Sequence, residues 1–587
     1  MQSCENEKKS PYVGFSFAQR RLPVILVALA ISLTLFVFGP ADIYGTNSSH
    51  FVFSLTDFLF WSLLYAAITA GIITAILLPL RGKVFDVALA LLFWIALMLT
   101  VQGNYLNFGV SSLAGDGVGE SGFSTGALLF NCAVWLIVGV GCVLAVLLIR
   151  QKHREWILTV STIVMVTVIG MQALTLAVTS LTTDLWKKKE PTEQLQLLTY
   201  QNMNEVSDGH NVVWFVIDRF DVDYYENYAM KECPEIFYNL DGFTYYDNMV
   251  SLYTRTFPSI PYMLTGVEHD YKDARVDYFA DAYSNSNFLK LLKEKNYDVN
   301  IYTERYYCYE NADPMVEYAS NVSKTSAIKI LQKPRLASDM LRVSLYRYLP
   351  LVAKGLTGDI STPQFEKYVD YGTQAPVFSG DMKNAYEYLD QNALQVKSGK
   401  NNFTFIHVAG CHLPNHYNQD FTPVSPEERD SVASAMIQSF KIINLYLDQL
   451  KALGLYENAT IIISGDHGNA DQSTPMTRAP VAALFVKRSG SAGSPLVTSN
   501  APVTQGDIIP AILESEGIES ELDFGRSLFD VKEGESRVRI CKFDDWREDA
   551  SGVRNDEVIT FEILGNARDL NNWKIISRGE FIGYYLD

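Results

Sequence analysis

The sequence predicts two regions of different kind. The first is a bundle of five membrane-spanning α-helices; the second is an α/β domain on a mostly parallel central sheet, ending in a small antiparallel β addition. Three observations predict this. Five apolar runs crowd into the first 182 residues, strand and helix patterns alternate from about residue 211, and short alternating runs take over from about residue 531. Charge divides at the same place. Of 48 Lys or Arg and 66 Asp or Glu, the first 182 residues hold 9 and 8, so nearly all of the net −18 belongs to the second region. An acidic outer part excludes nucleic acid as the main partner, because binding its backbone calls for a positive surface. With 33 Tyr and 32 Phe the chain is far too aromatic to be disordered.

The apolar runs cover 23–39, 58–80, 84–101, 127–149 and 156–181. Each is close to the ~20 residues a helix needs to cross the hydrocarbon core. The one acid within them, Asp86, lies near an end. Four further spans and no small-residue cleavage site exclude a secretory signal for the first run. Lys8, Lys9, Arg20 and Arg21 precede it, Arg81 and Lys83 join the second to the third, and Arg150, Lys152 and Arg154 join the fourth to the fifth. The alternate loops, 40–57 and 102–126, contain no Lys or Arg. The positive-inside rule therefore places the N-terminus in the cytoplasm and everything after the fifth span outside, in a multi-pass cell-membrane protein. No ionisable pairs lie deep in the spans, which speaks against an ion-coupled transporter. Cys132 and Cys142 fall in a span and Cys4 before the first; Cys233, Cys308, Cys411 and Cys541 lie outside, where disulfides can form. Their spacing defines neither a disulfide framework nor a zinc knuckle.

After the anchor (1–182), residues 183–210 are polar and charged. Leu195, Leu198, Met203 and Val206 are spaced for a short amphipathic linker helix near the membrane surface. The main domain follows over 211–530. Its run 212–217 is continuously apolar, as a strand buried on both faces is. Residues 288–295 read as a helix, 297–302, 403–408 and 460–464 as strands, and 433–453 as a helix between the last two. This alternation implies a parallel sheet with helices on both faces. The stretch 324–358 reads as a basic helical insertion, and 531–587 as a β subdomain packed on the main domain.

Three of these strands run into metal-ligand residue types: Asp218, His407 with His412, and the pair Asp466–His467. Taken singly, an Asp after a strand is a turn or N-cap residue, and a His there is a structural hydrogen-bonder. Together they matter, because sites in open parallel sheets lie at the carboxyl ends of strands, where distant residues converge. A fourth segment, TFPSIPYMLTG from Thr256 to Gly266, sets a hydroxyl just before a helix start, with Pro258 at an early helical position. A helix N-terminus offers free N–H groups to a phosphate or sulfate. A coordinated cation can turn a threonine hydroxyl into a nucleophile.

The order Asp218, Thr256, His407 and His412, Asp466–His467 resembles the alkaline phosphatase superfamily, in its sulfatase-like branch. TFPSIPYMLTG matches the sulfatase signature Cys-x-Pro-Ser-Arg followed by Leu-Thr-Gly, with two departures: Thr256 stands in place of the cysteine or serine matured to formylglycine, and Ile260 in place of the arginine. Threonine at this place is similar to phosphoethanolamine transferases, lipoteichoic acid synthases and nucleotide pyrophosphatase-like phosphodiesterases. The stretch His407-Val-Ala-Gly-Cys-His412-Leu-Pro414 is similar to His-x-x-Gly-Ser-His-Gly-Pro of the phosphoethanolamine transferases. The resemblance extends to Asp507-Ile-Ile-Pro510 and Gly525-Arg-Ser-Leu528. No histidine follows His467, a departure from the two-metal members, and the histidine-bearing loop of the transferases is replaced by 471–478.

What the resemblance implies is a membrane-anchored enzyme with one divalent cation, Mn²⁺ or Zn²⁺, held by Asp218, Thr256, Asp466 and His467. Mixed oxygen and nitrogen donors favour these over Ca²⁺. Thr256 would be the nucleophile, His412 would bind phosphate oxygens or protonate the leaving alkoxide, and His407 would orient it or bind substrate. The expected reaction moves a phospho-alcohol group, phosphoethanolamine or phosphoglycerol, from a membrane phospholipid to a cell-surface glycan or lipid. The alternatives are a phosphodiesterase or sulfatase-like hydrolase using water, and a non-catalytic surface protein that keeps the fold.

Overall fold

The computed structural model describes residues 14–48, 51–107, 124–149, 151–183, 185–186, 195–326, 328–357, 362–413, 415–424, 431–469, 476, 478–545 and 557–580. The chain divides into two compact units: Met1–Thr192 with Ile328–Asp370, and Glu193–Ala327 with Tyr371–Asp587.

Among the described residues of the first unit, five helices are long and apolar enough to cross a membrane: Phe17–Thr46, Leu55–Leu77, Gly82–Tyr105, Thr125–Leu148 and Glu155–Thr182. The first opens on a capping box, in which Ser16 and Gln19 satisfy each other's backbone N–H. At one end of the bundle Asp86 meets Arg154 in a buried bidentate pair, with both N···O distances 2.6 Å. The pair lies where Arg154 leads into the fifth helix and Asp86 occupies the first turns of the third. At the other end Gln102 Oε1 accepts from Asn131 Nδ2 (2.8 Å) and Trp135 Nε1 (2.9 Å), tying the third and fourth helices together.

The basic insertion forms a helix, Lys333–Tyr348, and a 3-10 segment, Leu351–Thr357. It differs from the sequence expectation in its allegiance: it belongs to the membrane unit and interrupts the main domain. Leu336, Ala337, Met340 and Val343 share a core with Ala41, Ile43 and Tyr44 of the first span and Phe58 of the second. Lys333 pairs with Asp57 at 2.8 Å, and Arg347 with Asp42.

The second unit is built on a seven-stranded sheet. In chain order its strands are β1 (Asn211–Ile217), β2 (Phe243–Met249), β3 (Tyr297–Tyr302), β4 (Asn401–Val408), β5 (Ala459–Gly465), β6 (Ala482–Lys487) and β7 (Val497–Ser499). The spatial order is β7-β2-β6-β5-β1-β4-β3. The four strands β5, β1, β4 and β3 are mutually parallel, while β6 runs antiparallel to both of its neighbours. Every residue of β1 and β5 is buried, which explains their unbroken apolar sequences. Helices Asn287–Glu294 and Val432–Ala452 flank them as expected. A three-stranded antiparallel sheet closes the chain: β8 (Val538–Asp545), β9 (Glu557–Leu564) and β10 (Trp573–Glu580).

One expectation is corrected. The described part of 183–210 is not a membrane-surface linker helix. Gln196–Leu198 pairs antiparallel with Val322–Lys324, and Glu205–Ser207 pairs parallel with Gln395–Lys397. Loosely spaced apolar residues serve two short strands as well as one helix. Asn202, at φ 64°, turns the chain between them. Leu198, Met203 and Val206 are buried inside this unit. Cys4, Lys187–Lys189, Pro414 and the last residues 581–587 lie outside the described residues.

Candidate active site

The carboxyl ends of β1, β4 and β5 bring the expected residues together. Asp218 follows β1, the turn carrying Gly410 and His412 follows β4, and Asp466 and His467 follow β5. The turn clasps β1: Asp218 N donates to Val408 O (3.0 Å), and Cys411 N donates to Asp218 O (2.9 Å). Only glycine fits at 410, where φ is 49° and a Cβ would lie 2.4 Å from Ile217 Cγ2 and 2.8 Å from Asp218 N.

Asp218, Asp466 and His467 form a buried cluster whose ligand atoms lie within 4.8 Å of one another. His467 Nδ1 is 2.8 Å from Gly468 O, a contact that assigns the proton to Nδ1 and turns the Nε2 lone pair inward. Nε2 lies 3.8 Å from Asp218 Oδ1 and 3.6 Å from Asp466 Oδ2. The other Asp466 oxygen, Oδ1, accepts from the backbone N–H groups of Arg219 (2.8 Å) and His467 (2.9 Å). Asp218 Oδ1 and Asp466 Oδ2 are buried with no hydrogen-bond partner among the described residues. Burial, with Asp466 and Glu304 nearby, pushes the Asp218 pKa well above the usual carboxylate range. Two buried carboxylates converge on one imidazole lone pair, a donor set that a divalent cation fits.

Thr256 opens the helix Thr256–Thr265, with Arg255 in extended conformation before it and Gly266 at φ 74° after it. The Thr256 hydroxyl donates to Asp218 Oδ2 at 3.3 Å, which sets it at the edge of the cluster. Arg255 Nε and the Thr254 hydroxyl approach Asp544 Oδ1 on β8 at 3.4 and 3.3 Å, so the C-terminal sheet braces the segment entering this helix.

The two other predicted histidines differ. His412 is exposed in the turn that follows β4. His407 is buried, its pKa pushed down to about 4 by loss of water. Its Nδ1 meets the Thr303 hydroxyl at 2.9 Å and Cys308 Sγ at 3.7 Å, while Nε2 has no partner. The six described cysteines are all free thiols.

Sequence reasoning missed two charged residues. Glu304 lies two positions beyond β3, and burial with Asp466 nearby pushes its pKa up to about 8. Its signal was an acid just past a strand end. Arg219 follows Asp218 with φ at 58°, a conformation that costs a non-glycine residue about 1 kcal/mol or more. Its Nε donates to Asn469 Oδ1 at 2.8 Å. Farther along, Arg478 pairs with Asp221 and Asp223. Residues 470–475 and 477 of the loop before it lie outside the described residues.

A hydroxyl at a helix N-terminus thus stands beside a cation-competent Asp/Asp/His cluster at the carboxyl ends of parallel strands. Residues 210–518 match the sulfatase family model, and the chain belongs to that family. No protein of curated description matches it significantly. Similar solved structures include the PsFucS1 sulfatase from Pseudoalteromonas sp., at 15% identity, covering 63% of this chain and 82% of that one, with TM-score 0.37. A protein in the alkaline phosphatase superfamily from Vibrio parahaemolyticus is 12% identical, with coverage of 66% and 87% and TM-score 0.36. The lipoteichoic acid synthase LtaP from Listeria monocytogenes is 10% identical, with coverage of 64% and 85% and TM-score 0.33.

Proposed function

We propose that this member of the sulfatase family is a membrane-anchored, metal-dependent phosphotransferase. It moves a phospho-alcohol group from a phospholipid to a hydroxyl of a cell-surface glycan or lipid. The observation that carries this reading is the Thr256 hydroxyl hydrogen-bonded to Asp218 beside Asp466 and His467. Threonine lacks the chemistry for maturation to formylglycine, which favours phosphate over sulfate esters.

Asp218, Asp466, His467 and Thr256 would hold one divalent cation, Mn²⁺ or Zn²⁺, whose charge would make the Thr256 hydroxyl a stronger nucleophile. Thr256 Oγ gives its proton to solvent and attacks phosphorus; the Oγ–P bond forms as the bond to the diacylglycerol oxygen breaks, and that oxygen takes a proton back from solvent. The acceptor hydroxyl then attacks phosphorus, sheds its proton, and returns Thr256 as a free hydroxyl. His412, in the turn after β4, donates an N–H to a phosphate oxygen. The Arg219 guanidinium supplies a second, charged donor. His407, bonded to Thr303, backs the wall of the site as a positioning residue. The loop charges put the N-terminus in the cytoplasm and the catalytic unit outside.

Full-length protein in vesicles with labelled phosphatidylglycerol or phosphatidylethanolamine, plus Mn²⁺ or Zn²⁺, tests this. Diacylglycerol should be released, and release should vanish in Thr256→Ala. Absence of release from both lipids overturns the transferase reading, and transfer to water alone makes the enzyme a hydrolase.

A further inference from the structure

The insertion Ile328–Asp370 belongs to the membrane unit although it interrupts the catalytic sequence, and its position along the first span fixes its depth. That span, Phe17–Thr46, has 30 residues. At 1.5 Å per residue it rises about 45 Å, some 15 Å more than the ~30 Å hydrocarbon core. The insertion helix packs on the last turns of this span. Ser344 and Tyr348 sit so close to Gly39 that a Cβ there would lie 2.2 Å from Ser344 Oγ. Tyr348 also fills the space beside Gly103, two residues from the end of the third span, where a Cβ would lie 2.3 Å from its ring. The 3-10 segment Leu351–Thr357 is fastened to the first turns of the fourth span, Leu351 N donating to Asn131 Oδ1 at 3.0 Å. All these span ends border the loops 40–57 and 102–126, which carry no Lys or Arg.

The segment's unburied groups have the character of the boundary between headgroups and acyl chains. Val352 is 67% and Leu356 84% exposed, and they follow directly on the bond to the fourth span, whose Leu129 and Phe130 are exposed as well. In a chain of net charge −18, the insertion carries seven Lys or Arg against four Asp or Glu. Lys329 and Arg335 are exposed, and neither meets a carboxylate among the described residues. Tyr346 on the same helix is half-buried, an amphipathic aromatic of the kind that favours this boundary.

We infer that the insertion is an interfacial lipid-binding element of the outer leaflet. Val352 and Leu356 dip among the acyl chains, and Lys329 and Arg335 face phosphate oxygens of the headgroups. The occupant is phospholipid, argued from continuity with the lipid-facing surface of the fourth span and from charge complementarity. This rests on the membrane reading of the anchor. It deepens the proposed function, which takes a phospholipid as donor, by naming the segment of the chain that meets that phospholipid in the bilayer.

The experiment attaches a nitroxide to full-length protein, at Val352→Cys or Leu356→Cys, in phosphatidylcholine–phosphatidylglycerol nanodiscs. Relaxation by oxygen, which partitions into lipid, is compared with relaxation by a water-soluble nickel chelate, after subtraction of the unsubstituted protein's signal. Leu136→Cys on the fourth span is the lipid reference and Val497→Cys on β7 the aqueous one. The expected result is oxygen-favoured accessibility at 352 and 356, approaching that at 136; values matching those at 497 overturn the inference. This readout needs no catalysis, so it fails or succeeds separately from the phosphotransferase reading. In the second arm, Leu356→Asp should lower turnover of bilayer phosphatidylglycerol by about tenfold and leave a water-soluble bis-aryl phosphodiester unaffected. Equal effects on both substrates overturn it.

Discussion

The two units treat buried charge in opposite ways. In the membrane unit, Asp86 and Arg154 are matched fork to fork, and Arg154 also lies over the Phe15 ring, 4.1 Å from its centroid. In the catalytic unit, Asp218 and Asp466 are buried side by side and each keeps one oxygen without a hydrogen-bond partner among the described residues. The first arrangement is complete and does nothing but hold helices together. The second offers a donor set that fits a cation, which is why the proposed chemistry is set there.

The largest expected effect falls on the site in the catalytic unit. Thr256→Ala should reduce turnover by about 10³-fold or more, the scale on which loss of a nucleophile is felt. The comparison sharpens with metal. Mn²⁺ or Zn²⁺ at 100 times its dissociation constant should stabilise the native protein by about 2.7 kcal/mol, visible as a raised Tm. Asp466→Asn should lose most of that rise. A wild-type Tm that neither cation moves would show that the cluster is not a cation site. Next comes the paired charge: Arg154→Ala takes the guanidinium away from buried Asp86, which costs about 3–5 kcal/mol. Unfolding of full-length protein in detergent measures this, and the double variant Asp86→Asn, Arg154→Gln should recover most of it.

Much of this contrast was legible in the sequence. Parallel strands buried on both faces write themselves as largely apolar runs, so β1, β4 and β5 stood out, and with them the carboxyl ends that carry Asp218, His407 and Asp466–His467; β3, YDVNIY, showed as an alternating run. β2 is rich in tyrosine and polar residues, and β6 follows a loop, so neither showed a period of its own. The segment 183–210 misled because a few apolar residues cannot choose between helix and strand without their partners. Arg219 and Glu304 were invisible for a related reason. Their importance arises from a left-handed backbone and from proximity across strands, neither of which composition or spacing records. The allegiance of the insertion was hidden too, because its apolar face points to spans nearly three hundred residues earlier.

A third effect tests whether buried histidine in the catalytic unit acts as a structural liability away from the cation cluster. His269 is buried among Phe257, Tyr271 and Tyr278, and loss of water lowers its pKa to about 4. The unfolded chain takes up a proton near pH 6.5 while the native one resists until about pH 4. The stability this group contributes is therefore full above pH 6.5 and lost as pH falls toward 4, by up to about 3 kcal/mol. His269→Phe should flatten that part of the stability profile, measured as Tm against pH. An unchanged slope would assign the acid lability to His407 and His467 in the site instead.

The smallest effect separates binding from folding at one residue. Arg219 holds a backbone conformation that disfavours it, so its retention there calls for a gain elsewhere. Its guanidinium is half-buried beside His412, and only Nε has a hydrogen-bond partner among the described residues. The remaining N–H groups are free for substrate oxygens. Arg219→Asn keeps a residue that tolerates the left-handed region and removes the guanidinium, so stability should change by less than about 1 kcal/mol. Catalytic efficiency on a phosphodiester should fall about 10- to 100-fold, carried mainly by KM, since a charge-assisted donor contributes about 1.5–3 kcal/mol. Were Arg219 a structural residue, the order would reverse: Tm would drop and KM would stay. The two readouts together therefore show whether this strain, like the unpartnered oxygens beside it, is part of how the site takes hold of a phosphate.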